Sequence, residues 1–213
     1  MCLRAKLRPP AQTSERAGFP KLIDGAVADN DPTRYFHGGT HLQRAALTMV
    51  NNIVYAGFGG HCDKYNFTGW VIGVDKATAE IKATFATESG SFAPAQDGTF
   101  DGGGGGGGIW MSGMSISSDS PNRLFYVTGN GEGHQNREVP ASGRAPLGTL
   151  DETIVNMKID PVTGKLSLQD YFEPYEYIVS YGLCGGGALG LRLIAFSQWM
   201  LEIVTWVAAA SHC

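Results

Sequence analysis

The chain has 213 residues, a formal charge of −4 and an isoelectric point near 5.7, so it lacks the basic footprint of a nucleic-acid-binding protein. Hydrophobic residues make up 43% and charged residues 17%, enough apolar material for one large domain or two small ones. The 30 glycines favour a turn-rich chain over a helical bundle, and the 4 cysteines (Cys2, Cys62, Cys184, Cys213) lack the C-x-x-C spacing of a zinc ribbon or redox motif.

Residues 1–18 are polar and Pro-containing and read as a disordered lead; basic but without an apolar run, they do not form a secretory signal peptide. Residues 19–41 contain Asp29-Asn-Asp-Pro32 and His37-Gly-Gly-Thr-His41, both loop-like. Ala45, Leu47 and Met49 then alternate as in a half-buried strand. After the turn signal Asn51-Asn52, strands are expected over 53–58 and 70–74, the latter apolar on both faces. Ile81, Ala83 and Phe85 alternate with Lys82 and Thr84, predicting a fourth strand with one solvated side. Asn66-Phe67-Thr68 matches the N-glycosylation acceptor.

The plan then repeats. Trp110, Ser112, Met114 and Ile116 alternate, Ser118-Asp-Ser-Pro-Asn122 reads as a turn, and Arg123-Leu-Phe-Tyr-Val-Thr128 as a strand. Residues 153–159 and 166–172 flank Asp160-Pro-Val-Thr-Gly164, a turn in which Pro161 pre-sets φ and Gly164 takes positive φ freely. The first copy carries Ala79 where the second has Gly164, so its turn must differ or be strained. Repeated meanders predict an all-β chain, either a β-sandwich or about two four-stranded antiparallel blades of an incomplete β-propeller. Short first-to-second and third-to-fourth connections, with long ones elsewhere, favour the propeller, whose long connections share one face.

Trp70-Val-Ile-Gly-Val-Asp75 and Ile159-Asp-Pro-Val-Thr-Gly-Lys165 resemble the blade-end motif of pyrroloquinoline-quinone-type β-propellers. Gly57-Phe-Gly-Gly-His-Cys-Asp63, Gly108-Ile-Trp-Met-Ser-Gly113 and Asp170-Tyr-Phe-Glu-Pro-Tyr175 resemble a fungal, mostly secreted group of quinoprotein alcohol dehydrogenase-like proteins. The resemblance covers residues 19–177 and implies an extracellular parent that closes a whole ring of blades. It also implies pyrroloquinoline quinone held between a Trp and a disulfide of adjacent cysteines, with a calcium ion and an Asp base. This chain has no adjacent cysteines, and no motif in it matches the Asp base or the calcium ligands. The resemblance therefore supports a scaffold, with no cofactor expected in this chain. The alternative is a piece of a quinone-dependent oxidoreductase acting on alcohols or sugars.

Residues 178–213 depart from the family and read as an out-of-frame end, apolar from Leu189 to Ala210 and helical in pattern. A membrane-associated protein using this tail is the further alternative, since a span needs about 20 apolar residues. Against it, Glu202 sits mid-run, where a charge costs about 2.5–3.5 kcal/mol at the bilayer centre.

On the long-loop face the candidate metal ligands are His37, His41, His61, Asp63 and His134, with His61 and Asp63 the best pair. Trp110 is the candidate cofactor-stacking ring, although an aromatic residue opening a strand is also ordinary core. Gly102 to Gly108 lacks the Lys-Ser/Thr and following helix of a phosphate loop and reads as an inter-blade linker. No G-x-S-x-G elbow is present to support a hydrolase. The expected partners are a small-molecule or carbohydrate ligand and, through open blade edges, other copies of the chain.

Overall fold

The hairpins expected from the turn chemistry organise the computed structural model, which describes residues 17–61, 67–90, 93, 106–129, 141–142 and 149–173. These belong to one compact unit, Met1–Tyr175. The lead before residue 17 and the tail over 178–213 lie outside the described residues. The described residues are all-β, with two antiparallel sheets, neither closed on itself.

The first sheet comprises β1 (His41–Gln43), β2 (Thr48–Val50), β3 (Ile53–Gly60), β4 (Trp70–Asp75) and β5 (Ile81–Ala86). Its order is β1-β3-β4-β5, with β2 also on β3. β1 pairs with the end of β3 (His41 opposite Gly60) and β2 with its start (Val50 opposite Ile53). The second sheet comprises β6 (Ser117–Ser120), β7 (Arg123–Val127), β8 (Ala141–Ser142), β9 (Ile154–Ile159) and β10 (Leu166–Glu173), in the order β6-β7-β9-β10-β8.

Local chemistry explains the tight turns. Asn51 and Asn52 have φ of 50° and 65°, the paired left-handed conformation of a two-residue hairpin, which asparagine tolerates. The β4–β5 and β9–β10 turns share one design. Asp75 Oδ1 accepts the N–H groups of Ala77 (2.7 Å) and Thr78 (2.9 Å), and Asp160 Oδ1 those of Val162 (2.9 Å) and Thr163 (2.7 Å). These bonds hold both carboxyls below the usual carboxylate range. Ala79 takes φ 60° where Gly164 takes 79°. The turns therefore match, and Ala79 carries the strain.

The two sheets pack face to face. Ile53, Tyr55, Val71, Ala83 and Phe85 meet Leu124, Tyr126, Val155, Met157 and Ile159 in one core, with Ile109 and Ile116 between. Burial raises the Tyr55 phenol to about 12 and pushes Tyr126 higher still. The second core lies on the other face of the first sheet, where Ala28 and Phe36 cover Phe58, Trp70, Ile72 and Ala86. Residues 23–36 thus fold over the face of β5 expected to be solvated, and Thr84 and Ala86 are buried. A bulge opposite Gly73 and Val74 interrupts the alternation at Lys82, so Ile81 packs in the second core and Ala83 and Phe85 in the first.

Two further expectations are corrected. Residues 110–116 form no strand: Gly113 turns the chain at φ 75°, and the Met114 N–H donates to Met111 O at 2.7 Å. The segment is instead laid against the first sheet, with Ile109 N–H on Phe58 O (3.1 Å) and Ala46 N–H on Met114 O (3.0 Å). The strand comes later, at β6, within the expected turn. Over residues 44–49, Ala45 is buried, whereas Leu47 and Met49 are 60% and 59% exposed rather than half-buried.

Candidate functional site at the long-connection end

All the short turns lie at one end of the two sheets, and the Asn51 side-chain amide reaches the Pro121 carbonyl across them. The long connections leave from the opposite end: after β3, after β5 and after β7. Backbone bonds knit that end together. Gly69 N–H donates to Gly106 O (3.0 Å), Gly129 N–H to Gly108 O (2.8 Å), and Leu150 N–H to Thr87 O (3.0 Å). Glu88 and Thr149 form an antiparallel bridge between the two sheets.

Threonines fill the polar requirements of this end. Thr68 Oγ1 accepts the Glu88 N–H at 2.8 Å, and Thr128 Oγ1 accepts the Thr153 N–H at 2.9 Å. Thr87 Oγ1 lies 3.0 Å from Gly107 O and 3.2 Å from Gly69 O. Two carboxylates are set among them, Glu88 and Asp151, at 0% and 1% exposure. Buried carboxylates are costly unless something positive or hydrogen-bonding meets them, and both are engaged within the chain. Sequence reading missed both. Each sits beside a strand-flanking threonine, in Thr87-Glu88 and Asp151-Glu152-Thr153, and that adjacency was the available signal.

Trp110 stands at the same end, half-buried against glycine backbone. A Cβ on Gly59 would come within 2.6 Å of its Cε2, and one on Gly108 within 2.8 Å of its Nε1. Glycine at these positions is therefore a condition of the ring's placement. The indole is held by the chain itself, as core aromatics are, yet keeps part of its surface outside.

The described candidate metal ligands occupy the β1 edge of this end. His37 and His61 are exposed. The His61 N–H donates to Thr40 O at 2.9 Å, which brings the two loops alongside. His41 is already engaged: Nδ1 lies 2.7 Å from His37 O and Nε2 2.9 Å from Thr68 O. Its ring packs on Phe36, with centroids 4.9 Å apart. Burial lowers its pKa, the carbonyls of His37 and Thr68 oppose this, and the nearby His37 adds to the lowering; the net direction is down. Among the described residues no three His, Cys, Asp or Glu side chains are grouped to hold a metal ion. Asp63, Asn66 and His134 lie outside the described residues.

Comparison with known proteins adds no further assignment: no protein-family model and no curated protein matches the chain.

Proposed function

We propose that the two sheets are neighbouring blades of an incomplete β-propeller of the pyrroloquinoline-quinone type. In this reading the chain is non-catalytic as written, and its long-connection end binds a small polar ligand, with carbohydrate the favoured class. One observation carries the reading: both sheets send their long connections to one end, where Trp110, seated on Gly59 and Gly108, keeps part of its ring exposed. A partly exposed indole suits a sugar, whose C–H faces lie on an aromatic ring. The second sheet repeats the turn design of the first and meets it with the opposite face: Tyr126, Val155, Met157 and Ile159 hold the positions of Ala56, Trp70, Ile72 and Val74, which lie in the second core. Stacking in one sense of this kind supports successive propeller blades over a sandwich.

The test is thermal melting in the presence of a panel of neutral mono- and oligosaccharides, for the full chain and for Trp110→Ala. A sugar that raises Tm for the wild type and not for the variant supports the site, through mass action on the folded state. No shift with any sugar removes the binding half of the reading. Titration with pyrroloquinoline quinone and calcium is expected to leave absorbance and fluorescence unchanged. Saturable quinone binding at micromolar concentration refutes the non-catalytic half.

A further inference from the structure

We infer that Asp29 and Asn30 act as a removable side-chain clamp that closes the β5 edge against pairing with a second copy of this chain. β5 is the outermost strand of the first sheet on that side. The backbone groups of Thr84 and Ala86 face away from β4, and an edge that leaves such groups free is a template for strand addition. Here all four are occupied by residues 29 and 30. The Asp29 N–H donates to Thr84 O (2.7 Å), and the Thr84 N–H donates to Asp29 Oδ2 (3.0 Å). The Ala86 N–H donates to Asn30 Oδ1 (3.0 Å), and Asn30 Nδ2 donates to Ala86 O (2.9 Å). The primary amide of Asn30 thus presents one donor and one acceptor in the places a neighbouring strand would. Thr84 Oγ1 adds a bond to Val27 O at 2.7 Å.

The sister hairpin shows what the clamp replaces. On β10 the same outer edge pairs with a strand, β8, through Phe172 opposite Ser142 and Glu173 opposite Ala141. The edge geometry is therefore competent for pairing, and the first sheet satisfies it with three side-chain bonds and the Asp29 backbone N–H instead. At the next position Lys82 carries a charge, paired to Glu80 at 2.6 Å, a further deterrent to an incoming strand. The clamp is partly accessible: Asp29 and Asn30 are exposed residues whose bonds to β5 are part-buried, so water competes for them. The self-association expected from open edges meets a closed edge here.

The experiment compares the full-length wild type, Asp29→Ala/Asn30→Ala, and the same double variant carrying Thr84→Pro. Light scattering on a sizing column at rising concentration is paired with far-UV circular dichroism. The double variant is expected to keep the sheet spectrum and to increase its mean mass about twofold or more over the wild type as concentration rises. Thr84→Pro removes the outward N–H and should return the mass to the wild-type value, because proline on an edge strand blocks pairing there. A double variant that matches the wild type at every concentration overturns the inference. So does association that survives Thr84→Pro, or loss of the sheet spectrum, since either places the effect outside the β5 edge.

Discussion

Exchanging alanine and glycine between the two matching turns gives a quantitative test of how each turn is seated. Ala79 holds φ 60° and is 2% exposed. Replacing it with glycine relieves a left-handed alanine, worth about 1–2 kcal/mol. Against this, the buried methyl contributes about 0.8 kcal/mol, and glycine loosens the unfolded chain by about 0.4–1 kcal/mol. The terms cancel, so Ala79→Gly should lie within about 1 kcal/mol of the wild type, or about 2–4 °C in Tm. Strain alone, without the buried methyl, would predict clear stabilisation. Gly164→Ala is the asymmetric partner. It imposes the same strain at φ 79° and sets a Cβ 2.3 Å from Ile53 Cδ1 on the facing sheet. Moving Ile53 off its rotamer costs about 0.5–1.5 kcal/mol. After the offsetting unfolded-state gain of about 0.4–1 kcal/mol, the net loss is about 0.5–3 kcal/mol. Urea unfolding followed by circular dichroism measures both. Stabilisation by Ala79→Gly of well over 1 kcal/mol would show that its methyl is not buried, and a neutral Gly164→Ala would show that the turn does not seat on Ile53.

Because the folded pKa of His41 is lowered from 6.5, its neutral form is favoured in the fold. Its contribution is fully present above 6.5 and is lost as pH falls toward the folded value; a stability–pH profile should drop on acidification and flatten in His41→Gln. Burial alone would raise the Asp31 carboxyl, but bonds from the Thr33 hydroxyl (2.6 Å), Gly90 N–H (3.0 Å) and Thr33 N–H (2.9 Å), with Arg34 beside it, hold it below 3.8. Its contribution is present above 3.8 and lost as pH falls through the folded value, so Asp31→Asn should remove an acid transition below about pH 4. Thr68→Val deletes the acceptor of the buried Glu88 N–H and should cost about 1–3 kcal/mol in urea unfolding.

The hairpins were legible because two local signals agree. Alternation marks β3, β5, β7, β9 and β10, and Asp75 and Asp160 fold their own turns through bonds two and three residues on. What was illegible depends on distant partners. Nothing in Asp29-Asn-Asp-Pro32 announces that its side chains will imitate a strand on β5. Alternation over 110–116 is real, but it belongs to an irregular segment that buries Ile116 in the core and leaves Met114 exposed, which period alone cannot separate from a strand. The Lys82 bulge flips Ile81 to the opposite face, against the simple period of two. Of the candidate site, the end of the sheets was predictable from connection lengths. Glu88 and Asp151 were not, because each abuts a strand and reads as ordinary flanking sequence.

The docking of residues 27–30 on Thr84 and Ala86 spans 55 to 57 positions of chain. During synthesis this segment leaves the ribosome well before the strand it covers, and it has no seat until β4 and β5 have paired. Hairpin closure is local and fast, whereas contacts across such separations must first overcome loop-closure entropy. The part made first is therefore secured last. Until then Phe58, Trp70 and Ile72 present an uncovered apolar face, the interval in which a nascent chain is most open to chaperones or to misassembly.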